Sequence, residues 1–277
     1  MSSHVNNGGT VRNNRSAIFQ NLLVYIPMSL AAVVFFGCLA IEVIGIEVSK
    51  ENRDWFYGTV GTFSFWLSVL MTGLHGRNYG LGWIKSVLFS FLSFQLVFSN
   101  LSVAWANLDA AIFGVGVVAS FRSAMFLPLL CVILSRFCKV DTWNLCDWLT
   151  PFFFFHHGFV THACWISGCC AGRSWPWGIL NPIIGMTAFP TQPCIILTSM
   201  AVAWWGLRYA EKHNYRANGQ VFANSLILYG FFRYLIELFS DDIRVFWVLS
   251  WIAVCSLAMI AQGLLVRYAT KKRYTTP

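Results

Sequence analysis

Residues that can bind an anion and move a proton are concentrated in one stretch of otherwise apolar sequence, from Asp147 to Gln192. Arg173 follows Gly172 directly, and three of the six histidines precede this pair: His156, His157 and His162. A guanidinium binds phosphate through a planar fork of donors, and a neighbouring glycine lets the backbone approach closely. Imidazole is the usual proton acceptor near neutral pH. The stretch therefore predicts an anion site with a base beside it.

A second arginine lies in a later apolar segment. Arg233 and Glu237 are four residues apart, so they share one face of a helix. A charge at membrane depth costs at least about 2.5 kcal/mol and is a functional hypothesis by default. Either the two side chains neutralise each other, or Arg233 binds a lipid phosphate together with Arg173. Glu42 and Arg122 also fall in apolar segments and could form a structural ion pair.

The composition is that of a membrane protein. Of the 277 residues, 57% are hydrophobic and 11% are charged, against about 45–50% and about 25% in soluble domains. The net charge of +8 is attributed to basic cytoplasmic loops rather than to a nucleic-acid partner. We predict one transmembrane domain over residues 1–277, with polar cytoplasmic tails at 1–17 and 267–277.

Long apolar runs alternate with short polar loops along the chain. A helix that crosses a membrane needs about 20 apolar residues, and the pattern predicts an all-α fold of eight such helices. The first is expected to be a retained helix rather than a signal peptide. The fifth is interrupted by Pro151, so a re-entrant segment is its alternative. The predicted spans are 20–46, 55–74, 86–108, 110–134, 148–170, 191–207, 221–239 and 245–266.

The basic residues predict the orientation. With a cytoplasmic N-terminus, most Lys and Arg residues lie in inner loops, among them Arg77, Arg136 and Arg216. Both termini are then cytoplasmic and residues 171–190 face outward, with Trp175 and Trp177 as headgroup anchors. A re-entrant fifth segment would place the basic tail outside, which argues against it.

Three cysteines, Cys164, Cys169 and Cys170, form a cluster in the same stretch. Their spacing lacks the paired C-x2-C pattern of structural zinc sites, so we interpret them as small apolar packing residues. We predict no metal and no cofactor.

The motifs of this stretch resemble those of prolipoprotein diacylglyceryl transferases. CWISGCCAGR (164–173), PWG (176–178) and PTQ (190–192) are similar to the family's GRIGCFLxGCCYGR, PWG and HPTQ segments. Asp147 and Pro151 resemble its D-x-x-A-P opening, and LYGFFRYLIELF (228–239) its LYGxxRFxxEFxR helix. The likeness covers about 110–247, which we take as the transferase-like region.

The resemblance implies a multi-pass enzyme of the bacterial cytoplasmic (inner) membrane that acts in lipoprotein biosynthesis. Such enzymes move the diacylglyceryl group of phosphatidylglycerol onto a lipobox cysteine thiol at the outer leaflet. The implied partners are phosphatidylglycerol, or another anionic phospholipid, and a prolipoprotein signal segment. The implied site residues are Arg233, Glu237, Arg173, Gly172, Gly168, Asp147 and Gln192, and His162 or His157 is expected to serve as the base.

Three family polar positions are occupied by other residues. Thr161 stands where the family has the arginine of GRIG, Phe113 where it has a histidine, and Ile195 where it has a carboxylate. A rebuilt transferase site and a catalytically silent relative that binds lipid or signal segments are therefore both possible interpretations. An unrelated transporter is a third, but the halves of the chain show no repeated broken helices.

Overall fold

Helices make up most of the described chain. The computed structural model describes residues 50–100, 120–167, 172–181, 186–240, 244–246 and 249–275. The helices are α1 (Lys50–His75), α2 (Trp83–Phe94), α3 (Leu127–Cys138), α4 (Thr142–Ser167), α5 (Thr191–Lys212), α6 (Gln220–Glu237) and α7 (Trp251–Thr275). A 3₁₀ turn (Gly76–Tyr79) follows α1, a π-helical segment (Gln95–Asn100) extends α2, and a 3₁₀ segment (Ser120–Phe126) leads into α3.

One described helix has the length and apolarity of a membrane crossing, over Trp251–Lys271. Two further segments, Ser123–Cys138 and Thr142–Thr161, pass the same test together, but they are bent by 119° at the break between them. The prediction of eight spans therefore stays a prediction. The first predicted span, with Glu42, lies outside the described residues, as does Phe113.

Helix α4 is the central element. It packs against α1, α3, α5 and α6, and its Trp148, Phe152, Phe154 and Phe155 are almost fully buried. The helix is continuous through Pro151, whose ring faces Gly206 on α5: a β-carbon on Gly206 would lie 3.2 Å from Cγ of the proline. A proline inside a helix is tolerated where a neighbouring helix covers the disrupted turn. The apolar stretch before the histidines is thus a buried helix that can position them.

Helices α6 and α7 approach each other closely because glycines line their interface. A β-carbon on Gly230 would lie 2.8 Å from the carbonyl oxygen of Ser256, and one on Gly263 would lie 2.6 Å from that of Ala223. Small residues allow such contact where apolar side chains gain little by leaving lipid. Large apolar side chains are exposed elsewhere on the helices, as expected of a surface that faces lipid: Phe63, Trp66, Leu70, Ile84, Leu88 and Leu129.

The described chain is mainly helical, as predicted, and two short antiparallel sheets accompany the helices. Strands β1 (Ser174–Asn181) and β2 (Met186–Ala188) pair with each other, and so do β3 (Arg244–Phe246) and β4 (Leu249–Ser250). The start of the eighth predicted span, at 245–250, is therefore extended rather than helical where it is described. Tryptophan, isoleucine and phenylalanine fit strands as well as helices, so apolarity alone did not separate the two.

Candidate active site

Arg233 and Glu237 form a buried ion pair on the last two turns of α6. The Nη1 of Arg233 lies 2.5 Å from Oε2 of Glu237, and the residues are only 7% and 6% exposed. The hydroxyl of Ser250 donates to the other carboxylate oxygen, Oε1, at 2.6 Å. Ser250 in turn accepts the N–H of Ala253, and so caps the N-terminus of α7. Glu237 is thus fixed from two sides, and it orients the guanidinium.

A histidine and a tyrosine meet across the interface of α4 and α6. Nε2 of His157 shares a hydrogen bond with the hydroxyl of Tyr229 at 2.7 Å. Tyr229 lies four residues before Arg233 and therefore on the same face of α6. The imidazole, the phenol and the ion pair form one polar strip inside an otherwise apolar bundle.

The Gly172-Arg173 segment is seated against the end of α6. Gly172 forms a β-bridge with Ser240, and the N–H of Arg173 donates to the carbonyl of Phe239 at 2.9 Å. A β-carbon on Gly172 would lie 2.3 Å from the carbonyl oxygen of Phe189, so the backbone passage admits only glycine. The two arginine motifs of the sequence thus meet at one end of the bundle, and the Arg173 side chain is exposed there.

Aromatic rings pack over this junction. The rings of Phe189 and Phe239 are stacked with centroids 4.5 Å apart, and the ring of Trp175 meets Phe239 edge-on at 5.6 Å. Trp177, two residues on, is 89% exposed. Trp175, which is 37% exposed, therefore packs one edge against the junction, whereas Trp177 is the more exposed of the two tryptophans.

The structure separates His156 from this strip. Nδ1 of His156 bonds the hydroxyl of Ser64 on α1 at 3.0 Å, and its ring packs against Phe65 and Phe94. Adjacent residues of a helix point about 100° apart, so His156 and His157 face different neighbours. Of the histidines with described side chains on α4, His157 is the one beside Arg233.

Asp147 is distant from the strip. Its Oδ2 accepts the N–H of Gly219 at 2.7 Å and its Oδ1 accepts that of Phe222 at 2.9 Å, so it caps the N-terminus of α6. It precedes His157 by ten residues of α4, about 15 Å along the axis. The structure thus places Asp147 as a cap of α6, and its substrate-binding role stays a prediction.

The chain was compared with protein-family models and with curated proteins. A family model described as prolipoprotein diacylglyceryl transferase matches residues 110–269, more than half of the chain. The chain belongs to the prolipoprotein diacylglyceryl transferase family. The comparison with curated proteins finds no match.

Family membership confirms the resemblance that the motifs indicated. The family is one of membrane enzymes. The match extends past the predicted 110–247 region to residue 269 and so includes most of α7. This extension is consistent with the fold, because Ser250, at the head of α7, holds the carboxylate of Glu237.

Three expected site residues remain: Gln192, Gly168 and His162. The structure describes the side chain of Gln192, at the junction, but not that of His162, and it does not describe Gly168. Gln192 is buried in the first turn of α5, next to Thr191, whose methyl group would lie 2.9 Å from a β-carbon on Gly172. Gly168 lies outside the described residues. His162 belongs to α4, but its side chain is not among those described.

Thr161 and Ile195, which replace polar residues of the family pattern, are both neutral and buried in the structure. The Thr161 hydroxyl donates to the backbone carbonyl of His157 at 2.8 Å, within α4. Ile195 is 5% exposed on α5. Neither position supplies a charge to the polar strip. Among the described residues, the charged side chains of the strip are those of Arg233 and Glu237.

The sequence analysis did not single out Tyr229 or Ser250. Tyr229 could have been found from its spacing, because it continues the Arg233 and Glu237 face one turn earlier. Ser250 carried a weaker signal as a cap residue immediately before an apolar helix.

Proposed function

We propose that this protein is a phospholipid-dependent transferase that moves a diacylglyceryl group from phosphatidylglycerol to a lipobox cysteine thiol. The observation that carries the proposal is the polar strip: a buried arginine fixed by Glu237 and Ser250, with a hydrogen-bonded His157–Tyr229 pair one turn away. A cation oriented in a buried site is suited to an anionic phosphate, and the pair is suited to take up a proton.

The reaction requires a thiolate, a phosphate ester and a proton acceptor. Tyr229 takes the thiol proton at its oxygen as its own proton moves to Nε2 of His157. The sulfur then attacks the glyceryl carbon, the carbon–oxygen bond to phosphate breaks, and a thioether forms. Glycerol phosphate leaves with the bonding electron pair, and the proton held on His157 is returned to it.

Arg233 has the central electrostatic role. A guanidinium carries five N–H donors, so it can hold both Glu237 and a phosphate oxygen. Negative charge accumulates on the leaving phosphate as the carbon–oxygen bond breaks, and an oriented cation stabilises that charge more than it stabilises the diester. Arg173, Gly172 and Gln192 at the junction are proposed to bind the headgroup, and Gly168 and His162 remain proposed members of the site.

The location proposed for this chemistry is the outer face of a bacterial cytoplasmic membrane. The exposed Arg173 and Trp177 support a headgroup-level position, because arginine and tryptophan are favoured there. The lipid-anchored product would be a lipoprotein precursor carrying a diacylglyceryl cysteine.

The test is transfer by purified protein from phosphatidylglycerol to a lipobox peptide. Arg233→Lys keeps the charge but removes the planar fork, so we expect turnover to fall about 100-fold. Arg208→Lys is the matched control, because Arg208 pairs with Glu211 on the exposed surface of α5. Full activity in Arg233→Leu/Glu237→Leu would show that the pair only neutralises itself.

A second function is favoured by the neutral residues at family polar positions. Buried Ile195 and the internally bonded Thr161 are consistent with a silent relative that binds anionic lipid or a signal segment without turnover. Phosphatidylglycerol binding that is lost in Arg233→Ala, with no thioether formed by wild type, would select this function over the enzyme.

A further inference from the structure

A polar cavity lies at the opposite end of the bundle from Arg233. Its volume is about 390 Å³, and it is an open cavity bordered by three segments: the turn after α1, the start of α4 and the connection from α5 to α6. Gly219, at the end of that connection, precedes Arg233 by fourteen residues, about 21 Å along α6. The cavity is therefore separate from the strip described above.

The charge of the cavity is positive. Arg77 and Arg216 contribute to its lining, and none of the described lining residues is acidic. Both arginines are exposed, and within the described part of the chain neither belongs to an ion pair. The nearby carboxylate of Asp147 is held by two backbone N–H groups of α6.

Neutral hydrogen-bonding groups complete the lining. Asn78, Asn144 and Asn214 come one from each of these segments, and Tyr79 and Tyr215 line the same wall. Burial, and next the charge of Asp147, raise the pKa of Tyr79 well above its usual value. Its phenol is therefore a donor at every physiological pH.

The wall is preformed. The rings of Tyr79 and Tyr215 meet at 5.5 Å, and His75 packs against both at 5.9 and 5.2 Å. Asn214 and Tyr215 both have positive φ, at 49° and 59°. Residues other than glycine adopt this conformation at a cost, and such strain is concentrated at ligand-binding sites.

We propose that this cavity binds a phosphate ester, with Arg77 and Arg216 on the phosphate and the amide and phenol groups on the hydroxyls of its alcohol. Paired guanidinium groups match phosphate oxygens, and a cavity of this size holds more than a bare ion. In the predicted orientation the cavity faces the cytoplasm, where anionic phospholipids supply this chemistry. A soluble phosphate ester such as glycerol phosphate is the other source.

The test is amide hydrogen exchange of the full-length protein in nanodiscs, read for peptides covering 76–82 and 213–219. One arm adds glycerol phosphate to phosphatidylcholine nanodiscs, and the other replaces part of the phosphatidylcholine with phosphatidylglycerol. We expect exchange in both peptides to slow severalfold in at least one arm. Protection in the first arm identifies a soluble ester, and protection in the second alone identifies a lipid headgroup.

The variant Arg77→Gln/Arg216→Gln is expected to lose this protection. Both side chains are exposed, so the fold should persist, and an unchanged unfolding midpoint without ligand verifies it. The matched control is Arg136→Gln/Lys139→Gln, two exposed cations nearby that do not line the cavity. Wild type without protection in either arm, or equal protection in both double variants, would overturn the proposal.

Discussion

Nε2 of His157 and the hydroxyl of Tyr229 lie 2.7 Å apart, across the interface of the central helix with α6. The contact joins the histidine-bearing stretch of the sequence to the helix that carries Arg233 and Glu237. It places a proton-accepting group one helical turn from an oriented cation, the combination that the proposed transfer needs.

Removing the His157–Tyr229 hydrogen bond should lower turnover without unfolding the protein. We expect His157→Ala and Tyr229→Phe each to reduce transfer by about 100-fold or more, the range typical of a positioned base. His156→Ala, one residue away and bonded to Ser64, is the control and should leave the rate close to wild type. The measurement is initial thioether formation with a lipobox peptide. Equal losses in His156→Ala and His157→Ala would assign both imidazoles to packing.

Asp147 should matter for stability rather than for the site. Asp147→Ala removes two buried hydrogen bonds from the first turn of α6, and each N–H left unpaired costs about 1–3 kcal/mol. Asp147→Asn keeps one acceptor oxygen and should lose less. Thermal unfolding of detergent-solubilised protein, followed by intrinsic fluorescence, checks this order. An unchanged unfolding midpoint in Asp147→Ala, together with lost lipid binding, would instead favour a substrate-binding role for Asp147.

Gly172 should not tolerate a side chain. A β-carbon there would lie 2.3 Å from the Phe189 carbonyl oxygen, so Gly172→Ala forces the junction apart at a cost of about 1–3 kcal/mol. We expect a lower unfolding midpoint together with lost turnover. Gly61→Ala is the control, because a β-carbon at that position of α1 meets nothing within 4 Å. Matching midpoints for the two variants would contradict the close packing of the junction.

The predicted orientation can be read from single cysteines. Ser174 is exposed at the start of β1, and Arg136 is exposed near the end of α3. In intact cells a membrane-impermeant maleimide should label Ser174→Cys, whereas Arg136→Cys should react only after permeabilisation, with wild type as the background. The reverse pattern would place the junction in the cytoplasm and exclude an outward-facing site.

The sequence by itself determined the family, the mainly helical character and the candidate charges. These follow from local information: motifs in a fixed order, apolar runs of helical length, and the four-residue spacing that places Arg233 and Glu237 on one face. The strands β1 and β2 were not predicted, because residues 171–190 were interpreted as an outward-facing segment between two apolar runs. Whether short strands pair within such a segment depends on contacts that local propensity does not specify.

Tertiary packing decided which candidates belong together. His156 and His157 are adjacent in sequence and chemically identical, yet one bonds Ser64 and the other Tyr229, because the helix turns about 100° between them. The same packing places the Asp147 carboxylate at the N-terminus of α6, where it caps the helix. Hydrogen bonds between residues more than seventy positions apart depend on how whole helices lie against each other, and no local pattern in a sequence specifies that arrangement.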